Sequence, residues 1–237
     1  MRGLSVPFTS EVKFLIDRET AAAVQNWARR RMDPDPNGTG PEGDAYRTAS
    51  IYFDTQNFDL FFRRGSHARA KFRIRNYNGA ARIFFERKLR KGDRTSKRRS
   101  EGSLDDLLRL DCVDQNWTGR WFARRLHNRH LRAVCQVDYQ RTARVGVSGG
   151  GPLRLTLDEH IRAASVRTAA FSSREALEIL PGQAILEMKY VDSPGLFREL
   201  IQDFELAPQH VSKYRLSVQS LNLAVEPVLA ASMLSGD

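Results

Sequence analysis

Four segments of this chain place charged side chains at every second residue, with mostly apolar ones between: Glu11-Val12-Lys13-Phe14, Lys71-Phe72-Arg73-Ile74-Arg75, Phe85-Glu86-Arg87-Lys88 and Leu186-Glu187-Met188-Lys189. In an extended strand, residues i and i+2 share a face. Glu11 with Lys13, Lys71 with Arg73 and Arg75, Glu86 with Lys88, and Glu187 with Lys189 would therefore each line one side of a sheet. Phe14, Phe72, Ile74, Phe85, Met188 and Tyr190 take the other side. Summed over the charged positions there are six cations and three carboxylates. One such strand describes the solvated face of an antiparallel sheet. Four of them with a cationic excess predict a sheet closed on itself, charged face inward and apolar face against helices. A barrel of about eight strands encloses one small ligand. Like charges buried together call for a multivalent anion, and a linear triphosphate or polyphosphate meets that need.

The rest of the chain supplies elements for such a barrel. Glu11 to Asp17 reads as a strand whose last residue is a helix N-cap. The helix over Arg18 to Met32 carries Ala21 to Val24, Trp27 and Ala28 as its apolar stripe. A loop rich in Pro, Gly and Asp follows over Asp33 to Asp44. Strands are predicted over Tyr46 to Asp54, Ala68 to Asn76, Arg82 to Arg90, Ala133 to Val145, Leu153 to Ala164 and Ile185 to Val191. Asn78-Gly79 and the Ser148 to Pro152 connection turn two hairpins. Asn57 to Arg64 is a helical turn, and helices are predicted over Ser103 to Arg109, Trp117 to Asn128, Pro194 to Phe204 and Ser212 to Leu223. The basic stretch Arg94 to Glu101 reads as a strand or as a loop. With no internal repeat and no linker, residues 1–237 form one domain.

Charge narrows the partners. The chain has 38 Lys plus Arg against 28 Asp plus Glu, a net +10, and its cations are 31 Arg but only 7 Lys. A field of that sign attracts polyanions. Lys presents a compact point charge and Arg a fork, so the sparing use of Lys13, Lys71, Lys88, Lys91, Lys97, Lys189 and Lys213 marks positions of interest. No run of 18 apolar residues occurs, and Glu226 and Pro227 break the stretch from Leu221 to Leu234, so no membrane span is expected. Met1 to Ser5 lacks the apolar core of a signal peptide. Cys112 and Cys135 form neither a disulfide framework nor a zinc site, which suits a reducing cytoplasm. His67, His127, His130, His160 and His210 have no metal or triad spacing and read as surface or structural residues.

In order along the chain, Glu11-Val12-Lys13-Phe14, Lys71 to Tyr77, Phe85-Glu86-Arg87-Lys88, Asp138-Tyr139-Gln140-Arg141-Thr142, Leu157-Asp158, Leu186-Glu187-Met188-Lys189 and Ser212-Lys213-Tyr214 resemble the polyphosphate polymerase (VTC) domain. This is the catalytic domain of the fungal vacuolar transporter chaperone complex and its bacterial relatives, within the CYTH-like triphosphate tunnel metalloenzymes. The resemblance spans Phe8 to Leu223. It implies an α+β fold, an eight-stranded antiparallel β-barrel forming a triphosphate tunnel surrounded by helices. It also implies that Lys13, Arg73, Arg75, Lys189 and Lys213 are catalytic, and that Lys71, Lys88, Lys97, Tyr139, Arg141 and Ser212 bind substrate. Glu187 matches the family's metal-ligand position for Mn²⁺ or Mg²⁺. Glu11 and Glu86 read either as ion-pair partners of the cations or as a second metal ligand. Gln136, Asp138 and Gln140 make the other face of their strand polar, which leaves the orientation of Tyr139 and Arg141 open.

The related CYTH branch begins with Glu-x-Glu-x-Lys, but its first Glu position is Thr9 here, which weakens a two-metal hydrolytic reading. No SPX-type regulator or membrane segment accompanies the domain, so inositol-phosphate control and translocation of product do not carry over. A membrane partner that receives the polymer stays open. The activity implied is transfer of the γ-phosphoryl group of ATP to inorganic polyphosphate or a pyrophosphate primer. A phosphate terminus is already ionised and needs no general base. The rival readings are a tripolyphosphate or nucleoside triphosphate hydrolase, a silent polyphosphate-binding module, and a nucleic-acid binder using Arg94 to Arg99. Nucleic acid is not the expected partner, because most Phe residues fall on apolar strand faces or in the Phe58 to Phe62 cluster.

Overall fold

The computed structural model describes residues 10–67, 70–91, 94–113, 116–148, 150–172, 175–192 and 194–224. The N-terminal segment with Phe8 and Thr9, the Lys91 side chain, and the apolar stretch beyond Ala224 lie outside the described residues. The strands are β1 (Ser10–Asp17), β2 (Asp33–Pro34), β3 (Ala45–Asp54), β4 (Ala70–Tyr77), β5 (Arg82–Lys91), β6 (Arg94–Ser103), β7 (Arg132–Ser148), β8 (Gly151–Ser165), β9 (Leu177–Glu178) and β10 (Gln183–Tyr190). The helices are α1 (Arg18–Arg31), α2 (Asp59–Phe62), α3 (Arg120–Asn128), α4 (Gly195–Asp203) and α5 (Lys213–Ser220), with 3₁₀ turns at Gly65–His67 and Leu104–Arg109. Ser103 to Arg109, expected as a helix, is the second of those turns. The basic stretch from Arg94 is a strand, because it pairs along its whole length with β5.

Local chemistry explains the joints. The Asp17 carboxylate accepts from the Thr20 backbone N–H at 2.7 Å and starts α1 directly after β1. Asn78 and Gly79 both have positive φ, 52° and 68°, and form the centre of a tight turn, closed by the Ala80 N–H on the Tyr77 carbonyl at 3.0 Å, within the link between β4 and β5.

All the strands join one antiparallel sheet in the order β1-β10-β8-β7-β3-β4-β5-β6, with β2 added to β7 and β9 to β8. Among the described residues no ladder joins β6 back to β1. At Lys13 the β1 backbone carbonyl instead accepts from the Gln209 N–H, so the segment before α5 takes part of that edge. Side chains bridge the seam, Lys88 of β5 reaching Glu11 of β1 at 3.0 Å.

The apolar face of the sheet lies outside, under helices. Phe14, Ile16, Leu153, Leu155, Leu157, Leu186 and Met188 pack with Val24 and Trp27 of α1 and Phe197 and Leu200 of α4. Phe72, Ile74, Ile83 and Phe85 pack with Phe122 and Leu126 of α3. The inner face changes character along its length. Beyond the charged positions it carries Tyr52, Val137, Ile161 and Ile185, which pack with Tyr214 and Val218 of α5. α5 therefore fills one end of the bore with an apolar plug, and its first residue, Lys213, borders the charged zone. No helix among the described residues is long and apolar enough to cross a membrane.

The plug is fastened by Asp54. This fully buried carboxylate accepts backbone N–H bonds from Thr55, Leu60 and Phe61 at 2.7 to 3.0 Å and a hydroxyl bond from Tyr214. Tyr214→Phe removes the hydroxyl from a buried acceptor. It should lower unfolding stability by about 1–3 kcal/mol in chemical denaturation, and a loss too small to measure would show that Asp54 does not hold the plug.

Candidate functional site

Partners in the register share a face, and this places the predicted residues on the inner surface. Lys13 pairs with Glu187 and Glu11 with Lys189 across β1 and β10. Arg73 faces Glu86 and Lys71 faces Lys88 across β4 and β5, and Lys88 faces Lys97 of β6. Arg141 of β7 faces Asp158 of β8. The open question of Tyr139 and Arg141 is resolved by their contacts, and a bulge in β8 sets Asp158 opposite Arg141. Between Asp138 and Gln140 the β7–β8 register shifts, and His160 at the irregularity has φ 49°. Tyr139 and Arg141 are buried, while the polar outer residues find partners. Gln136 donates to Asp138 at 2.7 Å and to the Ser172 carbonyl at 2.9 Å, and Asp138 pairs with Arg47.

Three carboxylate-centred clusters divide the bore. In the first, Lys13 Nζ stands 3.0 Å from Glu11 and 3.2 Å from Glu187, Lys189 pairs closely with Glu187, and Lys88 reaches Glu11. Burial and the Glu187 charge push the Glu11 carboxyl up, but Lys13, Lys189 and Lys88 overcome both and bring it to about 2. Burial likewise opposes ionisation of Glu187, and Lys189, Lys13 and Arg141 still hold it well below the ordinary range.

In the second cluster, buried Glu86 is the hub. Arg73 Nε lies 2.7 Å away, Lys97 3.2 Å, Arg99 3.7 Å and Arg75 3.9 Å. Arg75 also reaches Ser50 and the Tyr77 hydroxyl, both at 3.3 Å. In the third, Arg141 grips Asp158 with both arms of its fork at 2.5 and 2.7 Å, and Lys213 pairs with the same carboxylate. The Tyr139 ring lies beneath both cations, with the Arg141 guanidinium 5.3 Å and the Lys213 ammonium 4.7 Å from its centroid.

Cations outnumber carboxylates in every cluster: three to two in the first, four to one around Glu86 and two to one around Asp158. Among the described residues Lys71 forms no ion pair with a carboxylate, and Glu11 acts on it only from a distance. Its ammonium donates to Ser212 Oγ at 3.1 Å, and burial, with Lys13, Arg73 and Lys88 nearby, brings its pKa down to about 7.

Two groups carried no assigned role in the sequence reading. Asp158, part of the Leu157-Asp158 motif, holds both Arg141 and Lys213. Arg154 bonds the Tyr46 hydroxyl at 3.0 Å and pairs with Asp35 at 2.8 Å. The signal was present: Leu153-Arg154-Leu155-Thr156-Leu157-Asp158 alternates as strictly as the four segments that were used. Among the described residues no group of three or more His, Cys, Asp or Glu gathers to hold a metal.

The geometry is that of a tunnel-type antiparallel sheet with a cation-rich inner face. The chain belongs to the VTC domain family, whose profile matches residues 8–222. Among solved structures it is similar to a candidate adenylate cyclase from Bacillus halodurans. That match has 15% identity, covers 89% of this chain and 95% of the other, and has a TM-score of 0.55. It is also similar to a candidate adenylyl cyclase from Hippeastrum described as having a dominant triphosphatase activity, at 12% identity, 89% and 95% coverage and a TM-score of 0.50. These likenesses show a shared fold. No curated protein sequence matches the chain significantly.

The Lys71 pKa has a direct consequence for anion binding. Below pH 7 Lys71 is already charged. Between about 7 and its ordinary value of 10.5 it is largely neutral in the free protein, and a phosphate placed beside it recharges it. Tripolyphosphate binding at pH 8 should therefore take up a proton, read calorimetrically as a heat that depends on the ionisation enthalpy of the buffer. Lys71→Met should abolish most of that dependence. A wild-type heat independent of buffer would contradict the assignment.

Proposed function

We propose that the bore transfers the γ-phosphoryl group of ATP to the end of an inorganic polyphosphate chain. The observation that carries this reading is the surplus of buried cations gathered around carboxylates that are all held ionised. Such a surface suits a linear polyanion. Catalysis of phosphoryl transfer is chiefly positioning and charge stabilisation. In the step, an ionised terminal phosphate oxygen forms a bond to the γ-phosphorus as the bond to the β,γ-bridging oxygen breaks, and ADP leaves with that electron pair. Glu11, Glu86, Glu187 and Asp158 are each held below the ordinary carboxylate range by their cations once burial is overcome. None is basic enough to activate water near neutral pH, and a phosphate nucleophile needs no such help.

In this reading Lys13, Arg73, Arg75, Lys189 and Lys213 contact the transferring phosphoryl group and its neighbours. Lys71, Lys88, Lys97, Tyr139, Arg141 and Ser212 hold the rest of the chain. Glu86 orients Arg73 and Arg75 toward it, and Asp158 does the same for Arg141 and Lys213. Glu187 and Glu11 fit a divalent cation, because two ionised carboxylates converge on one ammonium, that of Lys13. Mg²⁺ and Mn²⁺ are commonly held by one or two carboxylates with phosphate oxygens and water completing the shell. Bound there, the cation would neutralise charge on the phosphate oxygens.

Lys71 favours a second reading. Its pKa of about 7 belongs to the free protein, and a Lys71 that the bound phosphates leave uncharged could take a proton from water, which would make the same bore a tripolyphosphate or nucleoside triphosphate hydrolase.

Incubation of the purified chain with ATP and Mn²⁺, with and without pyrophosphate, separates the two. Internal phosphate signals in the phosphorus NMR spectrum with matching ADP are expected, and ADP with orthophosphate but no internal phosphate signal would overturn the polymerase reading. Glu187→Gln should reduce metal-dependent turnover at least a hundredfold while circular dichroism stays unchanged. An active variant would remove Glu187 from the metal site.

A further inference from the structure

β6 is the last strand of the sheet, so its inner and outer faces are separated only by its own free edge. On the inner face Lys97 stands opposite Lys88. One residue further along, on the outer face, Arg98 stands opposite Arg87. The inner cations are most accessible here: the Lys88 and Lys97 side chains are 45% and 51% exposed, against 11% for Lys213 beside the plug. The charged surface of the bore thus reaches solvent beside this edge.

Outside, α3 adds to the pair. It carries Arg125, and its C-cap is Arg129 four residues on, so the two share one side of the helix end. Arg125, Arg98 and Arg129 all crowd Arg87, and burial together with these like charges lowers its pKa. Arg87 Nε is buried without a hydrogen-bond partner. Arg98 lies 4.3 Å from the centre of the Trp121 ring, and Arg129 donates to the Ser66 carbonyl at 3.2 Å. Among the described residues none of the four forms an ion pair with a carboxylate, in contrast to every arginine fixed inside the bore. Like charges directly opposite one another across a sheet destabilise it, and here two more are added over the top. An anion would relieve that repulsion.

We propose that Arg87, Arg98, Arg125 and Arg129 form a second polyanion site, which takes the part of a linear polyphosphate chain that extends from the bore over the β6 edge. The proposal rests on the polyphosphate reading of the bore. Polyphosphate is favoured over nucleic acid because Arg98 already lies over the ring of Trp121, the aromatic residue of the cluster, where a base would stack. A chain too short to leave the bore does not reach the cluster. The site thereby discriminates by length, with tripolyphosphate blind to it and long chains held at both places.

The test uses the full chain and two double variants. Arg98→Gln/Arg125→Gln removes two exposed members of the cluster. Arg18→Gln/Arg30→Gln removes the same charge from α1, which packs on the β1, β10 and β8 side of the sheet. Affinities for long-chain polyphosphate and for tripolyphosphate are measured at several salt concentrations. The cluster variant should bind long chains about tenfold more weakly, with a shallower salt dependence, and should bind tripolyphosphate as the wild type does. Unchanged long-chain affinity overturns the proposal, as does an equal loss in the α1 variant. Tighter wild-type binding of single-stranded RNA than of polyphosphate of matched charge also overturns it. Failure of the bore reading shows separately, as absence of tripolyphosphate binding by the wild-type chain.

Discussion

The inner face of this sheet buries more guanidinium and ammonium groups than it has carboxylates to neutralise, and the rest of the fold is arranged to make that tolerable. Desolvating a lone cation costs several kcal/mol, so each must be shared with an anion or with a fixed dipole. Glu86 is shared among Arg73, Arg75, Lys97 and Arg99, and Asp158 between Arg141 and Lys213. Such sharing leaves each cation partly satisfied and free to turn toward a ligand. Lys71 marks the limit of the arrangement: with only a serine hydroxyl as partner, it loses its proton near neutral pH.

The same constraint accounts for the unlike ends of the bore. Charge is confined to a zone between β1 and β6, and the remaining inner positions are apolar and plugged by α5. The Tyr214 hydroxyl on Asp54 fixes α5, and α5 in turn presents Ser212 and Lys213 to the charged zone. Packing and charge are thus one device: a helix that supplies core on one side supplies a cation to the charged zone at its first turn. On the outer wall the absence of carboxylates beside Arg87 and Arg98 gives the opposite case, repulsion left uncompensated by the fold itself.

Much of this was legible in the sequence, because alternation of charged and apolar residues has one physical meaning in a strand. The parity of Glu11 and Lys13, of Lys71 to Arg75, of Glu86 and Lys88 and of Glu187 and Lys189 predicted which side chains meet inside. The Asp17 cap and the Asn78-Gly79 turn were equally readable from local chemistry. Tyr139 and Arg141 were not, since Gln136 and Asp138 make the other face of β7 polar too, and their partners Ser172 and Arg47 come from distant parts of the chain. Nor were β2 and β9, two-residue strands that exist only through pairing with β7 and β8. Asp158 is a different case: its alternation with Leu155 and Leu157 lies in the sequence, but its partners Arg141 and Lys213 come from other elements, which alternation within one strand does not reveal.

The central claim is that the bore is built to be completed by a linear polyanion, and unfolding of the full chain tests it most directly. The midpoint temperature is measured against rising tripolyphosphate and, separately, against sulfate at equal ionic strength. A ligand that binds the folded chain alone stabilises it logarithmically with concentration. The account predicts a midpoint that climbs steadily with tripolyphosphate at micromolar to millimolar concentration and barely moves with sulfate. Equal responses to the two anions would contradict it, because the inner cations would then be answering to salt and not to a ligand that spans them.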